Sequence, residues 1–411
     1  AQAESIARDF VRALERLPQV EKVICAGSLR RQKETVRDID ILVIATDAQP
    51  VMDAFIALPA AHTTQAWGST KSSIRTAEGV QVDCRVVDKR SFGAALLYFT
   101  GSKGFNVRLR QLAQKTRHKI NEYGVFDRNE KLVCGRTEEE IFRFLKMQYV
   151  APELREDTGE IEAALEGSLP RLVEAPDIKG DLHVHSDWSD GSNTIEEMAM
   201  AGKKAGYSYI GICDHSQSLK VAHGVPVKDL AKKRRQIDAV NRKLKPFRVL
   251  FGTEVDIDAD GTLDYPDDIL KQFDVVIAAI HTGMKQPARQ ITRRILKACE
   301  NPYVHIIAHP TGRLRGVRDA YEIDLDEVFA KAKETNTALE INSYPDRMDL
   351  NDINCRRAQE AGVKICINTD SHSADQLGFI RFGLAMARRG WLTPSSLFNN
   401  EDALAKLLRK R

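Results

Sequence analysis

The second half of this chain repeats one pattern: a short apolar run that ends on histidine or a carboxylate. Tyr209-Ile210-Gly211-Ile212-Cys213-Asp214-His215 is the first, and Val249-Leu250-Phe251-Gly252-Thr253-Glu254 follows. Val275 to His281, His305 to His309 and Lys364 to His372 continue the series. Ahead of them stands Gly180-Asp181-Leu182-His183-Val184-His185, with Asp190 a few residues on. Side chains two apart on a strand share a face, so His183 and His185 point the same way. Buried strands that each finish in a metal-type donor describe a parallel barrel with its chemistry at one rim.

The spacers between the runs have helical periodicity, over Ile195–Ala205, Asp229–Leu244, Ile291–Glu300, Asp326–Thr335, Asp352–Ala361 and Ala374–Arg389. The alternation predicts a βα barrel of about seven units. One histidine at a strand end is usually structural, but six of the ten in this chain flank apolar runs beside Asp or Glu. Asp256 to Asp267 nearly matches a calcium loop, yet no helix precedes it, so an acidic hairpin on the barrel rim is expected.

These residues resemble the polymerase-and-histidinol-phosphatase (PHP) family of metallo-hydrolases. The resemblance implies nine metal ligands: His183, His185, Asp190, His215, Glu254, His281, His309, Asp370 and His372. It implies a cluster of up to three ions. Nitrogen and oxygen donors without thiolate suit Mn²⁺, Fe²⁺ or Zn²⁺.

Composition narrows the setting. The chain has 43% hydrophobic and 29% charged residues, the balance of a soluble globular protein of two or three domains. No apolar run approaches the roughly 18 residues of a membrane span, and the chain opens on helical periodicity without a secretory signal. The seven cysteines are scattered and form no C-x-x-C pair, as in a reducing, cytoplasmic compartment. The net charge of +3 is uneven: residues 1–150 carry 24 Lys+Arg against 18 Asp+Glu, whereas residues 151–179 carry 3 against 8. Between Ser91 and Asn121 there is no acid, while Lys103, Arg108, Arg110, Lys115, Arg117 and Lys119 all fall there. Such a basic helix suits a phosphate backbone.

The first block reads as a helix from Ile6 to Leu17, strands over Val20–Ala26, Asp38–Ala45 and Gly79–Val87, and a turn at Gly27-Ser28. Ser91 to His118 is helical, with breaks at Thr100-Gly101-Ser102 and at Gly104. Thr137 to Glu140 has capping-box spacing for a helix from Ile141 to Met147. Asp38 and Asp40 share a strand face, and Asp83 lies on a candidate neighbouring strand. Three convergent carboxylates repel one another unless cations join them; Mg²⁺ with substrate phosphates is the usual solution. Gly27-Ser28 upstream offers backbone N–H groups and a hydroxyl to phosphate.

Gly-Ser, then Asp-Ile-Asp, then a later strand Asp resembles the nucleotidyltransferase palm. Tyr98-Phe99-Thr100-Gly101-Ser102 with Phe105-Asn106 and Ile120-Asn121-Glu122-Tyr123 narrows the likeness to family X DNA polymerases. The resemblance implies that Asp38, Asp40 and Asp83 are catalytic and hold two Mg²⁺ ions. It gives Gly27, Ser28 and Arg31 to the triphosphate of a dNTP, and Tyr98, Phe99 and Asn106 to its sugar and base. Lys103, Arg108, Arg110 and Arg117 would bind DNA. The implied fold is multidomain, α+β and α/β: palm at 1–90, helical thumb at 91–150, linker at 151–179, and a distorted (βα)7 PHP barrel at 180–411. The family's N-terminal small domain and fingers have no expected counterpart here.

The resulting expectation is a cytoplasmic, monomeric DNA repair polymerase that fills gaps and carries a PHP-domain 3′-5′ exonuclease. One rival is a small-molecule phosphatase of the histidinol-phosphatase type. The other is a non-catalytic DNA-binding fragment.

Overall fold

The computed structural model describes residues 2–409. It divides after Pro170 into two compact units.

The first unit begins with α1 (Gln2–Glu15), β1 (Val20–Cys25), α2 (Gly27–Arg30), β2 (Asp38–Ala45) and α3 (Gln49–Ile56). Strands β3 (Thr63–Trp67), β4 (Lys71–Arg75) and β5 (Gln81–Val86) complete a five-stranded sheet of order β1-β2-β5-β4-β3. Period-2 alternation on β2 sends Ile39, Ile41 and Val43 to one face, where Phe10, Leu14, Met52 and Phe55 of α1 and α3 cover them. Leu42 and Ile44, in phase with Asp38 and Asp40, face Phe92, Ala95 and Leu96 of α4 (Phe92–Thr100). Gly27-Ser28, expected as a turn, opens the one-turn helix α2 instead.

Helix α5 (Lys103–Lys115) starts at Ser102, whose hydroxyl accepts from the Phe105 amide at 3.3 Å. Gly104 therefore sits inside its first turn and breaks nothing. A small sheet follows, β6 (Lys119–Asn121), β7 (Gly124–Phe126) and β8 (Leu132–Cys134). Thr137 caps α6 (Glu138–Phe144), so this helix starts three residues before the expected Ile141. Residues 151–170, within the stretch read as a linker, lie in this unit and include α7 (Glu160–Glu166). Arg155 explains their order. Fully buried, it donates to the Glu138 carboxylate at 2.6 and 3.2 Å, while Arg30 donates to the same group at 2.8 and 2.7 Å. Burial alone would raise the Glu138 carboxyl, but the two guanidinium groups outweigh it and hold it at about 2.

The second unit is a sheet of seven parallel strands in sequence order: β9 (Gly180–Val184), β10 (Tyr209–Ile212), β11 (Arg248–Asp256), β12 (Val275–Ala279), β13 (Ile306–Ile307), β14 (Ala338–Asn342) and β15 (Ile365–Asn368). A bridge between Val184 and Ser371 brings the last strand beside the first, so the barrel is nearly closed. Crossovers are α8 (Ile195–Lys204), α9 (Val227–Leu244), α10 (Asp267–Leu270), α11 (Ala288–Glu300), α12 (Leu325–Thr335) and α13 (Asp352–Ala361), and α14 (Ile380–Arg389) follows the last strand. The expected helix from Ala374 to Arg389 is thus a 3₁₀ segment, Ala374–Phe379, leading into α14. One face of the strands packs under these helices. The other packs on itself and on Ala403 and Leu407 of α15 (Ala403–Arg409). No helix among the described residues is long and apolar enough to cross a membrane.

Candidate metal centres

In the first unit, β2 and β5 run parallel with Asp40 beside Asp83 and Asp38 beside Gln81. Adjacent strands therefore carry all three expected carboxylates at one end. Asp38 is exposed, and Asp40 and Asp83 are half-buried. Burial, then the charges of Asp38 and Asp83, push the Asp40 carboxyl up to about 6. That is the response of a carboxylate cluster to missing positive charge. Gly27 has φ +63° and faces this group; a Cβ there would sit 2.3 Å from Asp40 Oδ2, so any side chain would be strained and would displace the carboxylate. The Ser28 hydroxyl is buried with no hydrogen-bond partner.

The remaining residues expected around a nucleotide are placed as follows. Arg31 donates to Glu156 Oε1 at 3.0 Å and to the Thr100 carbonyl. Tyr98 is exposed and packs edge-on to Phe99 at 5.1 Å, and the Arg85 guanidinium covers Phe99 at 4.4 Å. The Asn106 amide donates to the Tyr98 carbonyl at 2.7 Å. On α5, Lys103 and Arg110 are exposed, and Arg117 follows the helix, also exposed. Arg108 differs from them: it pairs with Glu162 and, at 3.6 Å, with Asp157.

In the second unit the nine expected donors come together from all but one of the barrel strands or the turns after them. Glu254, at the end of β11, is the centre. Its Oε2 lies 2.9 Å from His215 Nδ1, 3.4 Å from His183 Nε2 and 3.7 Å from His185 Nε2. Its Oε1 lies 3.0 Å from His309 Nε2 and 3.3 Å from His281 Nε2. Asp370 Oδ1 is 3.0 Å from His185 Nε2 and 3.5 Å from His183 Nε2. Asp190 reaches His372, His215 and His185 at 3.3, 3.5 and 3.6 Å. Among the described residues, donor atoms within 4.8 Å of one another form three groups, all in this unit. They are His185, Asp190, His215 and His372; His183, His185 and Glu254; and His215, Glu254 and His281.

The donor set fits metal ions better than it fits protons. His183 Nε2, His185 Nδ1, His215 Nδ1, His309 Nδ1 and Glu254 Oε2 are buried without a hydrogen-bond partner. Burial opposes charge on every ring. It prevails in His185, aided by His372 and His215, and in His309, aided by Arg347, and both fall to about 4. It is overcome in His215, by Glu254 and Asp190, and in His281, by Glu254 and Asp256; these rise to about 10 and about 9. Rings a few ångströms apart thus titrate far apart, a conflict that divalent cations resolve.

Several residues that sequence reasoning missed hold the donors in place. His183 Nδ1 sits 2.7 Å from Glu340 Oε1, and Glu340 Oε2 also accepts the His309 amide at 2.8 Å. His281 Nδ1 pairs with Asp256, and His372 Nδ1 lies 2.8 Å from the Asp370 carbonyl. Such contacts fix the tautomer and turn Nε2 inward. Asp214 accepts from the Ser186 amide at 2.7 Å, from Ser189 Oγ at 2.8 Å and from buried Lys233 at 2.8 Å, which anchors the loop carrying Asp190. Asp256 opens the acidic stretch that resembled a calcium loop; bridging of Ile257 to Leu263 makes the stretch the expected hairpin.

The parts of the chain match known families in the same order. Residues 95–156 match the DNA polymerase beta thumb model, and residues 181–344 match the PHP domain model. A thumb-bearing unit followed by a PHP barrel defines a polymerase-type enzyme with an added metallo-hydrolase domain. The DNA polymerase/3′-5′ exonuclease PolX of Bacillus subtilis (strain 168) is 41% identical over 401 residues, 96% of this chain and 69% of PolX. The chain belongs to the family X DNA polymerases with a PHP domain. A probable phosphatase of Thermoanaerobacter sp. (strain X514) is 32% identical over 233 residues, 54% of this chain and 90% of that protein.

Proposed function

We propose that this chain extends the 3′ end of a DNA primer from dNTPs and degrades DNA from the 3′ end, at two separate metal centres. The observation that carries this reading is the pairing of a carboxylate palm site with a nine-donor barrel cluster in a chain related to PolX along nearly its whole length. We assign the palm to 1–90, the thumb to 91–150, the connecting segment to 151–179 and the barrel to 180–411. A cytoplasmic monomer acting in gap repair is consistent with this assignment.

In the palm, Asp38, Asp40 and Asp83 would hold two Mg²⁺ ions, which when bound supply positive charge to the triphosphate and lower the pKa of the primer hydroxyl. Gly27 leaves Asp40 room, and the Ser28 hydroxyl, without a partner of its own, is available to a phosphate oxygen. Arg31 exchanges Glu156 for phosphate when a nucleotide enters, keeping one anionic partner throughout. Phe99, backed by Arg85, and Tyr98, whose carbonyl anchors Asn106, form the wall for sugar and base. Lys103, Arg110 and Arg117 meet DNA phosphates directly, and Arg108 does so after leaving Glu162.

In the barrel, His183, His185, Asp190, His215, Glu254, His281, His309, Asp370 and His372 would hold two or three Mn²⁺, Zn²⁺ or Fe²⁺ ions, which when bound supply an activated water and neutralise phosphate charge. Glu254 faces two of the donor groups, so it spaces them. Glu340 and Asp256 keep His183 and His281 oriented.

The likeness of the barrel alone to probable phosphatases supports a second reading, hydrolysis of small phosphomonoesters. Incubation with a labelled one-nucleotide-gap duplex, with and without dNTPs, in Mg²⁺ and in Mn²⁺, separates the two. Extension with dNTPs and 3′ shortening without them support the proposal. Turnover of p-nitrophenyl phosphate with DNA untouched would replace it.

A further inference from the structure

The loop after β14 carries a guanidinium and an aromatic ring at the edge of the barrel cluster, and neither belongs to the donor set. Arg347 Nε lies 3.4 Å from Asp370 Oδ2, while its Nη1 is buried with no hydrogen-bond partner. A buried cationic donor without an acceptor is costly, and a planar fork with one free arm suits a phosphate oxygen. The loop is held from behind. Arg313 Nε donates to the Arg347 carbonyl at 2.9 Å and Arg315 Nη1 to the Pro345 carbonyl at 2.9 Å. Arg313 also donates to the Met348 carbonyl, and the Arg315 amide to the Asp346 carbonyl at 2.6 Å, so Arg347 is presented on a fixed frame.

Three residues earlier, Tyr344 is tied to the same ligand. Its amide donates to Asn342 Oδ1 at 3.0 Å, and Asn342 Nδ2 donates to Asp370 Oδ2 at 3.0 Å. The half-buried Tyr344 ring meets half-buried Phe379 edge-on, centroids 5.3 Å apart at 86°. Phe379 ends the 3₁₀ segment that follows His372. The aromatic corner therefore joins the loop after β14 to the segment after β15, which carries Asp370 and His372. A perpendicular ring pair offers a third ring a face and an edge together.

We propose that Tyr344 with Phe379 receives the unpaired 3′-terminal base of a single-stranded DNA end while Arg347 receives the phosphodiester beside it. The proposal rests on the exonuclease reading and assigns the residues that grip the DNA end. Stacking on a side chain requires the base to leave its duplex neighbours, so a single-stranded or frayed end is selected without reading sequence.

The test uses the full chain in Mn²⁺ and 5′-labelled single-stranded oligonucleotides ending at the 3′ side in deoxyadenosine or in an abasic residue. Wild-type KM is expected to be about tenfold lower for the base-bearing end, the usual scale of one base–aromatic stack. Tyr344→Ala is expected to erase that discrimination by raising KM for the base-bearing end, with kcat little changed. Tyr344→Leu keeps the bulk without the aromatic ring and carries the same expectation if Ala disturbs the loop, whereas Tyr344→Phe retains discrimination. Arg347→Lys is expected to raise KM for both ends about equally, because Lys cannot reproduce the fork. Equal KM values for the two ends in the wild type overturn the proposal, as does an unchanged KM in both Arg347→Lys and Arg347→Gln. Wild-type chain that degrades no DNA end at all overturns the exonuclease reading itself, a failure distinct from degradation without discrimination.

Discussion

The carboxylates on β2 and β5 and the donors around Glu254 are both concentrations of metal-type ligands, but they are assembled to different degrees. The palm offers three carboxylates on adjacent strands, partly open to solvent and backed by a glycine with positive φ. The barrel offers nine side chains, most of them buried and seven of them in overlapping groups, with His183 and His281 held from behind by Glu340 and Asp256. The difference follows from who completes the site. Mg²⁺ keeps waters and takes substrate phosphates as ligands, so a palm needs only a few carboxylates. A cluster built mainly from protein donors must be pre-organised, because the substrate supplies few of its ligands.

The largest expected effect separates the two sites. Glu254→Ala removes the residue shared by two donor groups and is expected to lower 3′ degradation by at least about 10²-fold while extension survives. Asp83→Ala is expected to do the reverse. Loss of both activities in either folded variant would contradict separate centres.

Next in size is the stability of the first unit. Glu138→Gln leaves Arg155 buried and half-satisfied, and breaking such a pair costs on the order of 3–5 kcal/mol. The Glu138 carboxyl is depressed from 4.5 to about 2. Its contribution is therefore complete above about pH 4.5 and lost as pH falls through about 2. Urea unfolding of wild type and variant should show a gap that is constant from neutral pH down to about 5 and narrows below it. A gap independent of pH would mean that packing, not charge, holds these residues.

How much of this could be read from the chain alone depended on whether a residue's neighbours in sequence were also its neighbours in function. The barrel ligands sit at strand ends, where an apolar run stops and a donor begins, so periodicity exposed them. Glu340 lies inside such a run, between Leu339 and Ile341, and was passed over. A lone acid in a fully buried strand is itself a signal, because its charge must be answered by something nearby. Glu138 and Arg155 belong to different elements, and their pairing leaves no mark on either local pattern. Strands β3 and β4 are rich in Thr, Ser and Lys; β3 is an exposed edge without hydrophobic alternation, so nothing in its sequence identified it. Gly27-Ser28 was legible as chemistry but not as shape, since a single helical turn is too short for periodicity to show.

A smaller effect tests the supporting shell. Glu340→Gln removes the charge behind His183 and turns one of two accepting oxygens into a donor, and is expected to cost about 10- to 100-fold in barrel metal affinity or 3′ degradation, with extension unchanged. Elemental analysis after dialysis reads the first and a primer-shortening assay the second.

The smallest effect concerns the thumb. Removing one phosphate contact flattens the plot of log K against log salt by about one. Arg117→Glu, at an exposed position, should show at least that much, whereas Arg108→Glu should show less because Arg108 already has Glu162 and Asp157 as partners. Identical slopes for the two variants would mean that those acids do not compete with DNA.

If one centre is completed by the protein and the other by its substrate, their ions should bind under different conditions. Equilibrium dialysis of the full chain against limiting Mn²⁺, with and without gapped DNA and a non-hydrolysable dNTP, tests it directly. Two to three ions are expected on the chain alone, abolished by Glu254→Ala, and two further ions only with DNA and nucleotide, abolished by Asp83→Ala. Full occupancy of both centres without nucleotide, or loss of the nucleotide-dependent ions in Glu254→Ala, would contradict it.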